Sequence, residues 1–140
     1  MAKVVLTSLN APSFSDDEIA RAVANAIDRL ALNYKNGIER VVLKPNMCYY
    51  WDYSTGETTD PRVVSAVIDY VRSRFGSDVD IYVAEADATA MKTKYGFKIL
   101  GYDRLCQKKN VKLQNLSEGN IVDVKVKVNG KELVLPINEL

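Results

Sequence analysis

The chain is 140 residues long, 47% hydrophobic and 26% charged, with 19 Lys and Arg against 18 Asp and Glu and a formal net charge of +1. That length suits one domain whose core needs no staples, and the charge balance excludes the basic excess of a nucleic-acid or polyanion binder. With no histidine in the chain, His general bases, Ser–His and Cys–His nucleophile pairs and nearly all zinc sites are excluded as well.

Lys3–Leu9 (KVVLTSL) reads as a first, short buried strand. Ser15, three residues before Glu18, has capping-box spacing, and Phe14 and Ile19 stand where a hydrophobic staple would place them. From Ile19 the apolar positions Val23, Ile27, Leu30 and Tyr34 recur every three or four residues, so the spacing predicts a helix ended by Gly37. Ile38–Leu43 is a second strand, stopped at Lys44-Pro45-Asn46 because Pro45 cannot donate to a central ladder. A loop carrying Tyr49, Tyr50, Trp51 and Tyr53 leads to a second helix with Asp60 as N-cap and Pro61 at its first position, closed by Gly76. Val79–Ala84 is a third strand, Thr89–Asn110 is helical with breaks at Gly96 and Gly101, and Val111–Leu116 is a candidate fourth strand.

The last stretch has a different period. Val122, Val124, Val126 and Val128 alternate with polar residues up to Asn129-Gly130, the strongest short hairpin signal. A two-residue turn there pairs Val128 with Lys131, Lys127 with Glu132, Val126 with Leu133 and Val124 with Leu135, so apolar faces apolar. The fold class is α/β: a three-layer βαβαβ Rossmann-like unit with a mainly parallel sheet, plus a C-terminal antiparallel β-hairpin. The chain reads as a single domain over 1–140, with the βαβαβ-type core over 1–116 and the hairpin over 117–140.

Cys48 and Cys106 form neither a CxxC nor a metal-ligand spacing and read as reduced thiols of a cytoplasmic protein. No apolar run approaches the 18 residues of a membrane span, and Met1–Leu9 lacks a signal-peptide core. Ligands of an open parallel sheet bind outside the carboxyl ends of its strands. Four polar clusters are expected on that side: Thr7-Ser8, Lys44 with Asn46, Thr58-Thr59-Asp60, and Glu85 with Asp87. Read functionally, Lys44, Asn46, Thr58, Thr59 and Asp60 hold an anionic small molecule, while Glu85 and Asp87 bind Mg²⁺ or act as acid and base. Read structurally, Lys44 pairs with Glu85, Asp60 and Asp87 cap helices, and the threonines shape a turn. Tyr49, Tyr50, Trp51 and Tyr53 either fold onto the core, stack on a planar ligand or meet a partner, a homodimer being the simplest case. There is no GxGxxG, GxxxxGK[ST] or GxSxG motif.

The stretch VVLKPNMCYYWDYSTGETTDPRVVSAVIDYV resembles a family described as domain of unknown function 362, whose members show a strand ending in Lys-Pro-Asn, a variable loop, and Thr-Thr-Asp-Pro leading into a helix. Here these are Lys44-Pro45-Asn46 and Thr58-Thr59-Asp60-Pro61. VDIYVAEADA, Gly101-Tyr102 with Leu105, and VKLQNLSE also fit, so the resemblance runs from about Ile38 to the end. Members usually continue past the equivalent of Leu140, and many carry ferredoxin-type cysteine motifs. This chain has no such motif, and so no iron–sulfur cluster is expected in it. The resemblance therefore implies an N-terminal portion, a minimal member or one subunit of a split protein, and it names no reaction. Three functional readings follow: a ligand-binding α/β domain, a non-catalytic accessory module docking on a second subunit such as an iron–sulfur redox protein, and a fragment whose site is completed elsewhere. No nucleic-acid or membrane partner is expected.

Overall fold

A computed structural model describes residues 2–9, 14–34 and 37–139. Its elements, in chain order, are α1 (Asp16–Leu30), β1 (Arg40–Leu43), α2 (Pro61–Phe75), β2 (Asp80–Glu85), α3 (Thr93–Ile99), α4 (Tyr102–Lys109), β3 (Lys112–Asn115), β4 (Ile121–Val128) and β5 (Lys131–Asn138). The three short strands pair in the order β1-β2-β3, all parallel, with Leu43 beside Val83 and Glu85 beside Asn115. Parallel neighbours need crossovers. The helix α2 supplies the first and α3 with α4 the second, which makes a βαβαβ unit from the second, third and fourth expected strands rather than from the first three.

Lys3–Leu9 does not form the expected first strand. Val4 is 86% and Leu6 88% exposed, whereas a parallel strand is stabilised by burial on both faces. The segment instead runs beside α1 and α2, where Val5, Leu6 and Leu9 share an apolar groove with Ile19 and Val63. Thr7 and Ser8 are therefore not at a strand end. The predicted first helix starts as read: Ser15 N donates to Glu18 Oε2 at 2.8 Å and Glu18 N donates to Ser15 Oγ at 3.3 Å, completing the capping box. It stops earlier than read, at Leu30, where Ala31 turns left-handed with φ +51°. Tyr34 is the reason the stripe misled. Its ring leaves the helix and packs edge-on against Phe75 at 5.0 Å.

The core gathers between the sheet and the helices. Ile68 of α2, Val83 of β2 and Tyr102 of α4 are fully buried, with Val64, Val71, Ile81, Phe97 and Cys106 around them. Gly96, expected to break a helix, lies buried inside α3, where a Cβ would come within 3.3 Å of Met91 Sδ. The break falls at Gly101 alone, whose φ of +79° separates α3 from α4.

The hairpin has the predicted register, Val128 opposite Lys131 and Val124 opposite Leu135, turning through Asn129 and Gly130 at φ +49° and +79°. Glu132 faces Lys127 across the ladder, but its ion pair is the diagonal one, with Lys125 Nζ at 3.1 Å. Val122, Val124, Val126, Leu133, Leu135 and Ile137 line one face, and all except the half-buried Val126 are exposed. Among the described residues no helix is long and apolar enough to cross a membrane.

Candidate functional site

The chain leaves each parallel strand on the same side of the sheet, so the residues just past Leu43, at Glu85 and at Asn115 must be neighbours. Lys44 Nζ lies 2.9 Å from Glu85 Oε1 and 2.6 Å from Oε2. The two partners are unequally placed: the Lys44 side chain is 60% exposed and that of Glu85 12%. Solvent therefore meets the ammonium, with the carboxylate behind it.

The loop after β1 is sewn to the start of α2. Asn46 N donates to Thr59 Oγ1 at 3.0 Å, Thr59 N to Asn46 O at 2.9 Å, and Asn46 Nδ2 to Glu57 O at 2.7 Å. Pro45 lacks an N–H, so it ends the ladder and aims Asn46 at this turn. Tyr102 Oη donates to Thr59 O at 2.9 Å, tying α4 to the same turn. Burial, reinforced by Asp60, Cys106 and Glu85, pushes the Tyr102 phenol far above its ordinary range, so it remains a neutral donor.

Asp60 is the N-cap it was read as, accepting from Arg62 N at 2.8 Å. It also accepts from Arg62 Nε at 3.0 Å and Nη2 at 2.7 Å. The hydrogen bonds to Asp60 raise the Arg62 pKa further. Asp87 is similarly engaged. Its Oδ2 takes Lys92 Nζ at 2.9 Å, its Oδ1 takes Thr93 N at 2.9 Å, and its own N donates to Ser117 Oγ at 2.7 Å. Lys92 first, then the Thr93 N–H, hold its carboxyl below the usual carboxylate range. Among the described residues, no three His, Cys, Asp or Glu side chains form a group that could hold a metal ion.

Of three further polar groups here, Thr58 is one of the residues read from the sequence as holding an anion, whereas Thr93 and Asn115 have no functional reading there. The hydroxyls of Thr58 and Thr93 are buried with no hydrogen-bond partner, and so is Asn115 Nδ2. Thr58 is 6% exposed and Thr93 is fully buried. Asn115 ends β3 beside Glu85, and its Oδ1 accepts from Ser117 N at 3.0 Å. The Asn-Leu-Ser spacing after a predicted strand was the available signal, because Asn and Ser two apart favour such a turn.

The aromatic loop divides. Tyr50 is half-buried against the core, and its hydroxyl accepts from Lys92 N at 3.0 Å. Tyr49, Trp51 and Tyr53 are each more than 40% exposed. Tyr49 adopts φ +59°, uncommon for a bulky residue, and its ring sits 4.9 Å from Tyr50 and 5.6 Å from Trp51. The Arg62 guanidinium lies 5.2 Å over the Tyr53 ring.

The family model for Domain of unknown function (DUF362) matches residues 41–137. The chain belongs to that family. The match takes in both signature segments, Lys44–Asn46 and Thr58–Pro61, along with nearly all of the three parallel strands and of the hairpin, and begins after α1, at the second residue of β1. No curated protein and no solved structure matches the chain. Within this DUF362 chain, the signature residues Asn46, Thr59 and Asp60 hold the β1–α2 connection in place, while Lys44 alone among them turns a charge toward solvent.

Proposed function

We propose that the chain binds a small, acceptor-rich molecule at the carboxyl ends of β1, β2 and β3. One observation carries this: Thr58 Oγ1, Thr93 Oγ1 and Asn115 Nδ2, all on segments leaving those strand ends, are buried without a partner. Buried polar groups are nearly always paired, and leaving one unmade costs about 1–3 kcal/mol. All three can donate, and the exposed Lys44 ammonium just past β1 also donates, which favours a molecule with oxygen acceptors and negative charge; the partnerless acceptor at these strand ends, Glu85 Oε2, lies 2.6 Å from that ammonium, whose charge offsets it. Asn46, Thr59 and Asp60 position the loop, and Glu85 holds Lys44 in place. Asp87 anchors the start of α3.

The test is calorimetry and thermal shift with inorganic phosphate, simple carboxylates and Mg²⁺ on the wild type, Lys44→Gln and Glu85→Ala. Anion binding that weakens at least tenfold in Lys44→Gln is the expected result. Binding that both substitutions leave unchanged places the site elsewhere, and a preference for Mg²⁺ over every anion favours the cation reading of Glu85 and Asp87.

A second reading rests on a separate observation. The uncovered apolar face of the hairpin and the exposed rings of Tyr49, Trp51 and Tyr53 suit a partner surface. Sedimentation of the wild type against Trp51→Ser and Leu135→Ser checks it, since association through either surface weakens in one variant and not the other. Tyr50 is left intact because its hydroxyl serves the fold.

A further inference from the structure

A groove of about 270 Å³ runs beside β1, the outer strand of the sheet among the described residues, walled by Val42, Leu43, Val63 and Val67, with Lys44 and Thr59 in its lining. We propose that the ligand of the strand-end site is a short-chain aliphatic carboxylate, its carboxylate on Lys44 and Thr59 and its chain along this groove. The inference rests on the anion reading above and specifies what the anion is attached to.

Charge orientation supports the head group. An incoming anion meets the exposed Lys44 ammonium, since the paired Glu85 lies behind it, and the two Glu85 oxygens take at most two of its three N–H donors. Thr59 Oγ1 accepts from Asn46 N, which leaves its hydroxyl hydrogen for an acceptor. The wall chemistry supports the tail. Apart from Lys44 and Thr59 the lining is Val, Leu and Pro, so a sugar or a nucleotide base would lose its hydrogen bonds there, whereas methylenes would gain by leaving water.

Calorimetric and NMR titrations of the full chain with acetate, butyrate, hexanoate and inorganic phosphate test this. Each added methylene should tighten binding about fourfold until the groove is full. Val67→Trp, which fills the groove, should abolish that gain and keep acetate binding. Val42→Asp makes the same test at a position 42% exposed, where folding tolerates a charge. Acetate and hexanoate binding equally, both lost in Lys44→Gln, overturns the aliphatic tail and leaves the anion site standing. Failure of every anion to bind overturns the anion reading itself. Slow hydrogen exchange at every amide of 40–43 in ligand-free protein would show a strand added on that edge, and would also overturn the groove as a ligand seat.

Discussion

The parallel core and the C-terminal hairpin are built from similar residues and held together differently. Both are rich in Val, Leu and Ile. In the core these residues meet helices, and Ile68 and Val83 lose all contact with solvent. In the hairpin they pair chiefly with each other across a two-stranded ladder, and Val128, Leu133 and Val134 remain 46–52% exposed. Hydrophobic stabilisation scales with area removed from water, and an isolated two-stranded hairpin is marginal. The ladder and the Asn129-Gly130 turn therefore carry the hairpin, and packing carries the core.

Substitutions in each region sharpen this contrast. The largest effect belongs to Ile68→Ala, which should cost about 2–5 kcal/mol through a cavity in the core. The urea midpoint should fall at constant slope, while amide protection of β4 and β5 stays as it was; a parallel loss in the hairpin would mean that the two regions open together. Next comes Gly130→Val. At φ +79° a β-branched side chain is strained, and the penalty should exceed about 1 kcal/mol. Here the hairpin amides should exchange faster with the core midpoint unmoved, the reverse of the first experiment. Ser15→Ala should cost about 1 kcal/mol by unmaking the α1 cap, and an unchanged midpoint would show that α1 folds independently of α2.

The smallest effect at neutral pH concerns the tie between α1 and α2, where Tyr70 Oη donates to Asp28 Oδ1 at 2.5 Å. That hydrogen bond, aided by burial, pushes the Tyr70 pKa from 10.0 up to about 12. The neutral phenol is the form that the fold favours. The contribution is therefore complete below pH 10 and disappears as pH rises through about 12. Tyr102 also titrates late, so ultraviolet titration should show two late tyrosines in the wild type and one in Tyr70→Phe, and an unchanged late amplitude in that variant would refute the tie.

Much of the architecture was legible because local chemistry and tertiary structure agree. Ser15 and Glu18, Asp60 with Pro61, and Asn129-Gly130 each specify a backbone geometry without help from elsewhere. Lys3–Leu9 was misread because a short apolar, β-branched run describes a buried strand only where something covers both faces, and nothing in a local pattern reports cover. The length of α1 failed likewise, since Tyr34 fits a helical stripe equally well whether it faces Phe75 from a helix or from a loop. At the strand ends, the Lys44–Glu85 pair was one of the two readings open in the sequence. The Arg62 fork on Asp60 was not foreseen, and neither were the partnerless Thr58, Thr93 and Asn115 atoms. Each depends on which groups are adjacent in space and on what water can reach.

Trp51 is the only tryptophan in a chain with eight tyrosines. It is 49% exposed, its ring tilted against that of Tyr49 in the loop that follows the Lys-Pro-Asn turn. Its emission therefore comes from a single address, a few residues from the β1 strand end and far along the chain from the hairpin. A shift in emission wavelength on adding a solute reports solvent change at that loop alone, and unlabelled protein serves as its own optical probe. Collisional quenching by iodide and by acrylamide can then be compared directly at that one loop.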